Sequence, residues 1–400
     1  MPCFDAAKRW YNGGTKAVTT IHWLGAGLSS GPGVRRLCEA SRNLLLWNRT
    51  PDRAIAVLGA RDQSRARRLD MQALEAAVNP GDVVVSMLPA DWHPKIAALS
   101  TSRGAHFVSS SYVSDAMREL DAAARAAGLC LVNEVGLDPG IDHLMAHRLV
   151  HRFRQSAACG PGSTVSLRSW CGGFPAVPNP FRYKFSWSPV GVLRALRTPA
   201  RCISDGKTVD ISRPWQAISR YDLPGTARES FEAYPNRDSV PFVSDYGFDP
   251  AWNIKDFVRG TLRLDGWSAA WEDLFATLAS LEEESAEETL SAISGQLWQD
   301  YAYTDGEADR VVLCVELEGK SPAGEHFHEA SIIDATGTTD ASAMARLVSL
   351  PVSFAVDAIL AGSIDAGVSA APSDQALINQ WFDALAVGGD QVIHQSVAAS

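Results

Sequence analysis

Several features that define other classes of protein are missing from this sequence. Its seven cysteines are scattered and form no CxxC pair, which argues against a disulfide framework and a zinc site. No apolar stretch reaches the ~18 residues that a membrane span needs. The richest, residues 350–362, is interrupted by Ser353 and Asp357. Charged residues near the N-terminus replace the apolar core of a signal peptide, so we expect a cytoplasmic protein.

Positive charge is also scarce. The chain has 36 Lys and Arg against 46 Asp and Glu, for a formal net charge of -10. This balance repels phosphate backbones and anionic lipids, so neither nucleic acid nor a membrane is an expected partner. With 46% hydrophobic and 20% charged residues in 400, the composition is that of a globular protein of two to three domains.

The first part of the chain alternates short apolar runs with helical patterns. Predicted strands cover 18–24, 44–47, 82–87, 105–108 and 129–133, and predicted helices cover 33–40, 50–58 and 114–127. Residues 1–17 show no period and are interpreted as an arm. Buried strands alternating with helices predict an α/β fold with a doubly wound parallel sheet.

The pattern changes after Gly140. Residues 163–265 are rich in aromatics, proline and serine and are interpreted as mostly strands and loops, whereas 267–300 is helical. Strands are predicted over 310–317 and 326–334, and a long apolar helix over 343–360, with Pro351 as its start or a kink.

The strongest local motif is a glycine-rich loop between the first strand and the first helix. Gly25 permits a tight turn, Gly27 allows close approach to a pyrophosphate, and Ser30 takes the place of the third small residue. Pro32 suits the first helical turn. Because the helix N-terminus attracts phosphate, this loop predicts a dinucleotide site.

The end of the second predicted strand favours NADP over NAD. An NAD site usually carries a carboxylate there for the ribose 2′-hydroxyl. This chain has Asn48, Arg49 and Thr50 instead, a set that can hold a 2′-phosphate. The alternative is that Arg49 is only a solvated surface residue.

Polar residues follow two more strands, at the edge where open α/β sheets form their clefts. Residues 109–112 read SSSY, and residues 133–143 read NEVGLDPGIDH. Asp138 in the second segment is also explained by a β-turn in which it caps the next helix.

Two segments in the later part of the chain carry arginines, namely Arg237 and the pair Arg259 and Arg263. Guanidinium groups pair bidentately with carboxylates, so these segments suit a substrate with several carboxylates. The alternative for each arginine is a surface ion pair.

Histidines recur every fourth residue at His143, His147 and His151. They share one helical face, but neither an HExxH motif nor a cysteine cluster accompanies them, so we interpret the face as packed or hydrogen-bonding and expect no metal. His326 and His328 lie in a predicted strand and are interpreted as structural.

Several long motifs together resemble the saccharopine reductase family, the NADP-dependent, glutamate-forming saccharopine dehydrogenases. They are NEVGLDPGIDHLMA (133–146), the segments 109–128 and 170–197, YPNRDS (234–239) and VRGTLR (258–263). The resemblance implies a Rossmann-like domain over 18–140. It further implies a mixed α+β domain for substrate binding and dimerisation over 141–336, and a helical return over 337–400.

The resemblance also implies roles for individual residues. The expected NADP(H) contacts are Gly25, Gly27, Leu28, Ser29, Ser30, Asn48, Arg49, Thr50, Asp70, Met71, Ser86, Leu88, Ser110, Leu137, Asp138, Pro139 and Ser188. The expected substrate contacts are Ser111, Tyr112, Asp138, Arg237, Thr261, Leu262 and Arg263. Asp138 and Tyr112 are the candidates for acid–base catalysis.

The implied reaction is reversible reduction of the imine of 2-aminoadipate 6-semialdehyde and L-glutamate to saccharopine, in lysine metabolism. One alternative is a related imine reductase such as a carboxynorspermidine dehydrogenase, although its amine substrate would favour acids over Arg237 and Arg263. Another is a non-catalytic NADP-binding protein. The expected partner is a small molecule, and a homodimer is a further expectation.

Overall fold

A computed structural model describes residues 19–225 and 229–397, so the N-terminal arm expected over 1–17 lies outside the described residues. The strands are β1 Thr20–Leu24, β2 Asn43–Asn48, β3 Ala66–Arg68, β4 Val83–Ser86, β5 His106–Ser109, β6 Cys130–Val132, β7 Thr164–Pro175, β8 Ala200–Ser204, β9 Lys207–Ile211, β10 Ser219–Asp222, β11 Ser230–Pro235, β12 Asn253–Leu264, β13 Asp309–Lys320, β14 His326–Thr336, β15 Gly367–Ser369 and β16 Ile393–Ser396. The α-helices are α1 Gly31–Glu39, α2 Pro51–Asp62, α3 Met71–Ala77, α4 His93–Ser102, α5 Asp115–Arg118, α6 Asp121–Ala127, α7 Ile141–Arg154, α8 Pro189–Arg197, α9 Phe242–Asp245, α10 Trp267–Ala270, α11 Glu272–Ser280, α12 Glu283–Tyr301, α13 Ala343–Leu360 and α14 Gln375–Val387.

The first sheet is parallel throughout, in the order β15-β6-β5-β4-β1-β2-β3. Val83, Val84 and Val85 of β4 are all fully buried, because helices cover both faces of the sheet. Val83 and Val85 pack into one apolar cluster and Val84 into another, as the alternation of side chains along a strand requires. The predicted doubly wound, Rossmann-like α/β fold is confirmed.

Strands β3 and β15 have three residues each and were not predicted, since such short runs carry no clear period. The helix predicted over 114–127 is two helices, α5 and α6, and the segment predicted as strands and loops contains α8 and α9.

The second sheet has both parallel and antiparallel pairs, and helices α8 to α12 lie between its strands in the sequence, so the expected mixed α+β part of the fold is confirmed. Its main path is β10-β11-β12-β7-β13-β14-β16, and β8 and β9 form a hairpin that joins β12. β12 runs parallel to β7, whereas β7, β13 and β14 are antiparallel neighbours. The two strands predicted over 310–317 and 326–334 are β13 and β14, both extended by a few residues.

The C-terminal segment touches both sheets. Helix α13 packs on α1, where the Ser349 hydroxyl accepts the Gly33 N–H at 2.9 Å and Asp357 pairs with Arg36 and Arg42 at 2.7 Å each. Pro351 lies inside this helix rather than at its start. Strand β15 then extends the first sheet and β16 the second, so the segment is not purely helical. The division at residues 140 and 336 stays a prediction.

The expectation that no apolar stretch is long enough for a membrane span is wrong by length and composition, because α13, with 18 residues, passes that test, alone among the helices of the described residues. In the fold, 67% of it is buried, against α1 and β13 among others. Its apolar character therefore reflects a place in the core.

Candidate active site

The glycine-rich loop joins β1 to α1 at the carboxyl edge of the first sheet. Gly25 has φ +102° and donates its N–H to the Trp47 carbonyl at 2.8 Å, and a Cβ there would lie 2.9 Å from the Met87 carbonyl oxygen. Gly27 faces open space, because a Cβ there would meet nothing within 4 Å. Pro32 lies in the first turn of α1, as predicted.

Helix α1 also needs a small residue three positions after Ser30, at Gly33. Ser30 is buried, but a Cβ on Gly33 would lie 2.3 Å from the Ser349 carbonyl oxygen. The small residue is needed there because α13, a helix far along the sequence, crosses α1 at this point. The role of Ser30 as the third small residue of the motif stays a prediction, and Gly33 is a second position of α1 at which only a small residue fits.

Asn48 links this loop to the end of β2. Its Oδ1 accepts the Ala26 N–H at 3.1 Å, and its Nδ2 donates to the Thr50 carbonyl at 2.9 Å. Arg49 and Thr50 are exposed at the same edge, and no ion pair engages Arg49 within the described residues. A cation and a hydroxyl are thus free at the point where a dinucleotide places its adenosine ribose.

The remaining cofactor candidates lie at three places. Asp70 caps α3 by accepting the Ala73 N–H at 2.9 Å, and Met71 begins that helix. Ser86 ends β4 and Leu88 follows it, at the same edge as the glycine-rich loop. Ser188 precedes α8 of the second domain, next to Trp187.

The loop geometry fits a dinucleotide. Within the described residues, the backbone N–H groups of Gly27, Leu28 and Ser29 have no protein partner, and the space above Gly27 is open. These N–H groups precede α1, whose N-terminus carries partial positive charge. The loop therefore offers unpaired donors to a pyrophosphate.

A cleft of about 550 Å³ separates this edge from the second sheet. Its lining includes, among the predicted residues, Ser29, Ser110, Ser111, Tyr112, Leu137, Asp138, Pro139, Arg237, Thr261 and Arg263. Leu262 is the exception among the predicted substrate contacts, since its side chain is fully buried in the core of the second sheet. Cofactor and substrate candidates from distant parts of the sequence thus share one cleft.

Asp138 projects into this cleft and does not cap the next helix. Its Oδ1 accepts from Tyr112 Oη at 3.3 Å and from Arg259 Nη2 at 3.0 Å. The turn before α7 is held instead by Asp142, whose Oδ1 accepts the Gly140 N–H at 2.7 Å. The interpretation of Asp138 as a helix cap is therefore wrong, because the N-cap residue of α7 is Gly140 and no side chain makes a cap hydrogen bond there.

The surroundings of Asp138 raise the pKa of its carboxyl toward neutral pH. Burial, followed by the charge of Asp142, raises the pKa of Asp138 to about 6, and Arg259 opposes this rise. Burial also disfavours ionisation of Asp142, but His143 and Arg259 outweigh it and lower the pKa of that carboxyl. Two neighbouring carboxyls with opposite shifts are the pattern expected of an acid–base group beside a fixed charge.

Tyr112 lies between two guanidinium groups. Arg237 Cζ is 5.1 Å and Arg259 Cζ is 5.5 Å from the centre of its ring. Burial raises the pKa of the Tyr112 hydroxyl, against the effect of Arg259. The hydroxyl therefore stays protonated and donates a hydrogen bond to Asp138.

The two predicted arginines differ in their surroundings. Arg263 is 7% exposed and stands among Tyr183, Tyr234 and Trp267, with its Cζ 4.9, 5.5 and 5.2 Å from their ring centres. Arg237 is exposed and has φ +58°, a left-handed conformation. The first is a rigid, caged cation and the second an accessible one.

The histidine face of α7 is packed or hydrogen-bonded, as expected: His147 contacts the ring of Tyr246, and His151 is exposed with its Nε2 2.9 Å from Gln155 Nε2. His143 donates to or accepts from Tyr246 Oη at 2.8 Å, lies 2.9 Å from Glu134 Oε2 and stacks on Phe242. His326 and His328 contact Glu318 and Glu316 across the β13–β14 pair.

Two residues of the site were not identified from the sequence. Arg259, within VRGTLR, was noted only as one of several arginines, and it is the group that binds Asp138. His93 contacts Ser86 Oγ at 2.9 Å and Ser111 Oγ at 2.8 Å, and it carried no sequence signal because its partners lie 7 and 18 residues away.

Comparison with known proteins agrees with this geometry. A family model described as the saccharopine dehydrogenase NADP binding domain matches residues 21–132, and one described as the saccharopine dehydrogenase C-terminal domain matches 136–390. A saccharopine dehydrogenase [NADP(+), L-glutamate-forming] of Pyricularia oryzae is 31% identical, over 88% of this chain and 94% of the relative. The saccharopine dehydrogenase [NADP(+), L-glutamate-forming] of Schizosaccharomyces pombe is 28% identical, over 93% of this chain and 98% of the relative.

Solved structures extend the likeness to the fold. Apo saccharopine dehydrogenase (L-Glu forming) from Saccharomyces cerevisiae superposes with a TM-score of 0.77 at 27% identity, covering 95% of this chain and all of the other. A homospermidine synthase from Legionella pneumophila, with a TM-score of 0.64 and 9% identity, shares the fold alone. The two family models together cover residues 21–132 and 136–390. The chain therefore belongs to the saccharopine dehydrogenase family.

Proposed function

We propose that this protein is an NADP-dependent oxidoreductase that reversibly reduces the imine of 2-aminoadipate 6-semialdehyde and L-glutamate to saccharopine. The observation that carries the proposal is the position of Asp138. Its carboxyl has a pKa of about 6, contacts Tyr112 and Arg259, and faces a cleft that borders the glycine-rich loop. The names of the relatives of similar length support the same reaction.

NADPH, when bound, supplies the hydride for the imine carbon. The N–H groups of the glycine-rich loop hold its pyrophosphate, and Arg49 with Thr50 holds the 2′-phosphate. The residues after β4, β5 and β6 border the cleft in which the nicotinamide end meets the substrate. This assignment gives the chain the tasks of positioning both partners and excluding water during transfer.

Saccharopine carries three carboxylates, and the cleft offers matching cations. Arg237 is accessible at one wall, and Arg263 is fixed by three aromatic rings at another. Ser111 and Thr261 add hydroxyl groups. The carboxynorspermidine alternative has one carboxylate and a second amine, so it would leave at least one of these two guanidinium groups without a carboxylate partner, which disfavours it.

Proton transfer falls to Asp138, with Tyr112 as its hydrogen-bonded neighbour. Imine formation joins an aldehyde to an amine and releases water, and its reversal adds water. Both directions need a group that accepts and releases a proton near neutral pH. A carboxyl with a pKa of about 6 meets that need, whereas Tyr112 stays protonated.

We further propose a cytoplasmic enzyme of lysine metabolism, since saccharopine contains the lysine skeleton. The six cysteines in the described part of the chain are free thiols, which suits a reducing compartment. The predicted homodimer is part of the proposal, and light scattering of the purified protein tests it.

The proposed function is tested by NADPH oxidation across a matrix of aldehydes and amino acids. We expect turnover to be fastest with 2-aminoadipate 6-semialdehyde and L-glutamate, and saccharopine with NADP to run the reverse reaction. Faster turnover with a diamine would assign the protein to the carboxynorspermidine type. Tight NADPH binding without turnover of any pair would make it a non-catalytic NADP-binding protein.

A further inference from the structure

A buried histidine joins two serines at the ends of neighbouring strands. His93 begins α4 and is 4% exposed. Its Nδ1 lies 2.9 Å from Oγ of Ser86, the last residue of β4, and its Nε2 lies 2.8 Å from Oγ of Ser111, just after β5. The ring packs edge-on against Phe107, with centres 6.2 Å apart.

The imidazole of His93 is neutral in this position. Burial lowers its pKa to about 4, although Asp91 opposes the shift. A neutral imidazole has one N–H and one unprotonated nitrogen. One serine must therefore donate to the ring and the other must accept from it.

Ser86 determines which serine donates. Its side chain is fully buried, and His93 Nδ1 is its one hydrogen-bond partner within the described residues. If Nδ1 carried the proton, the hydroxyl proton of Ser86 would have no acceptor, and a buried unpaired donor is costly. Ser86 therefore donates to Nδ1, and the ring proton is on Nε2.

The consequence reaches the cleft through Ser111. The Nε2 proton occupies a lone pair of Ser111 Oγ, so the hydroxyl proton of Ser111 must point elsewhere. The backbone of Ser111 is fixed, because its carbonyl accepts the Glu134 N–H at 3.0 Å, and its side chain lines the cleft. The free direction for the proton is the cleft itself.

We propose that His93 is a positioning residue that holds the Ser111 hydroxyl as a donor to a carboxylate oxygen of the substrate. The chain of donors runs from Ser86 through His93 to Ser111, and each bond polarises the next. The inference rests on the proposed function for the identity of the substrate, but the direction of the chain does not depend on it.

Nitrogen-15 NMR of histidine-labelled protein tests the direction. The signals of His93 are assigned by their loss in His93→Gln. We expect its Nε2 to have the shift of a protonated nitrogen and its Nδ1 that of an unprotonated one, with Nε2 moving in Ser111→Ala. A protonated Nδ1 with an unprotonated Nε2 would overturn the inference, whatever the substrate is.

Kinetics with two amide variants test the role. The amide of Gln reaches the position of Nε2 and retains a donor to Ser111, whereas that of Asn reaches only the position of Nδ1 and retains the bond to Ser86. We expect His93→Asn to raise the KM for saccharopine roughly three- to tenfold. His93→Gln should stay within about twofold of the unmutated protein. The KM for NADP should not change in His93→Asn, which retains the bond to Ser86.

Two comparisons separate the possible failures. His151→Asn, an exposed histidine on α7, is the matched control and should have unchanged kinetics. Adding His93→Asn to Ser111→Ala should change the KM for saccharopine no further, since the histidine acts through that serine. Equal KM values for saccharopine in the Asn and Gln variants would overturn the role of His93. Absence of saccharopine turnover in the unmutated protein would instead overturn the proposed function. The NMR result would then still decide the direction of the hydrogen bonds from Ser86 through His93 to Ser111.

Discussion

Arg259 Nη2 lies 3.0 Å from Asp138 Oδ1, and this contact joins β12 of the second sheet to the cleft end of the first. The same nitrogen lies 2.6 Å from Asp142 Oδ2. One buried guanidinium thus serves two carboxyls, of which Asp142 is fully buried and Asp138 is 22% exposed at its side chain. The sharing explains why Asp142 is held as the fixed anion while the proton of Asp138 stays exchangeable.

Replacing Arg259 with Met should destabilise the protein and shift its pH profile. Removing one partner of a buried charge pair costs about 3–5 kcal/mol. Without the cation, the pKa of Asp138 should rise above its value near 6, so the inflection in kcat/KM should move to higher pH. Urea denaturation and pH–rate curves measure the two effects. Arg259→Lys, which keeps the charge, should show a smaller change in the unfolding free energy and in the pH of the inflection. An unchanged inflection in Arg259→Met would mean that Arg259 does not influence the group that titrates.

Asp138→Asn should leave a folded protein that binds NADPH but turns over slowly. Asn keeps the size of the side chain, and the start of α7 should not be disturbed because Asp138 makes no cap hydrogen bond to it. Loss of an acid–base group typically lowers kcat by about 10²–10⁴. The inflection near pH 6 in kcat/KM should also disappear. Near-full activity with an unchanged profile would transfer the proton step to Tyr112, water or the substrate amine.

The same substitution should change how stability depends on pH. The pKa of Asp138 is about 6 in the fold against 3.8 for the free side chain, so the folded state binds the extra proton between these values. The free energy of unfolding from this group therefore decreases as pH rises from 3.8 to 6, by at most about 3 kcal/mol. The difference between unmutated protein and Asp138→Asn in urea denaturation should follow that curve. A difference that is constant with pH would contradict the raised pKa.

The strand-end residues were predictable because parallel strands bring their carboxyl ends to one edge. Ser111, Tyr112 and Asp138 follow from that rule alone. The orientation of the β12 residues was also readable, since alternate side chains of a strand share a face. Arg259, Thr261 and Arg263 therefore point one way, and Leu262 points the other way, into the core. The alternation thus argues against a contact between the Leu262 side chain and the substrate.

Other parts of the site depend on contacts between distant segments. Nothing local distinguishes Arg259, which meets Asp138, from Arg237, which faces the cleft. The bridge made by His93 requires β4 and β5 to be adjacent, and the need for Gly33 requires α13 to cross α1. The resemblance supplied the roles of matching motifs, whereas these contacts needed the folded chain.

Arg237→Ala should weaken substrate binding and leave NADPH affinity unchanged. The residue is exposed at the cleft, so its removal does not leave a buried cavity. A hydrogen bond to a charged group contributes about 1.5–3 kcal/mol, which corresponds to a rise of roughly ten- to a hundredfold in the KM for saccharopine. Arg220→Ala, an exposed arginine paired with Asp222, is the control. Unaltered saccharopine affinity in Arg237→Ala would remove this residue from the substrate site.

Arg49→Ala should reduce the preference for NADPH over NADH. Arg49 is exposed beside Thr50, and no carboxylate competes for the ribose in the segment from Leu46 to Thr50. An ion pair to a 2′-phosphate contributes about 1–3 kcal/mol, or roughly ten- to a hundredfold in affinity. Fluorescence titration with both cofactors measures the ratio. Equal affinity for the two cofactors in the unmutated protein would contradict the assignment.

Two glycines near the cofactor loop should respond to alanine in opposite ways. At Gly27 a methyl group meets nothing in the protein, so the free energy of unfolding of Gly27→Ala should lie within about 0.5 kcal/mol of the parent value. The substitution should nevertheless weaken NADPH binding, because the methyl occupies the space through which the pyrophosphate approaches the backbone. At Gly33 a methyl would lie 2.3 Å from the Ser349 carbonyl oxygen and 2.8 Å from the Trp23 ring, so Gly33→Ala should lose about 1–3 kcal/mol of unfolding free energy through overpacking of α1 against α13.

Thermal unfolding with and without NADPH distinguishes the two variants. Gly27→Ala should keep the parent Tm without cofactor and lose the rise in Tm that NADPH causes. A full rise in Tm with NADPH for Gly27→Ala would mean that the pyrophosphate does not approach this loop.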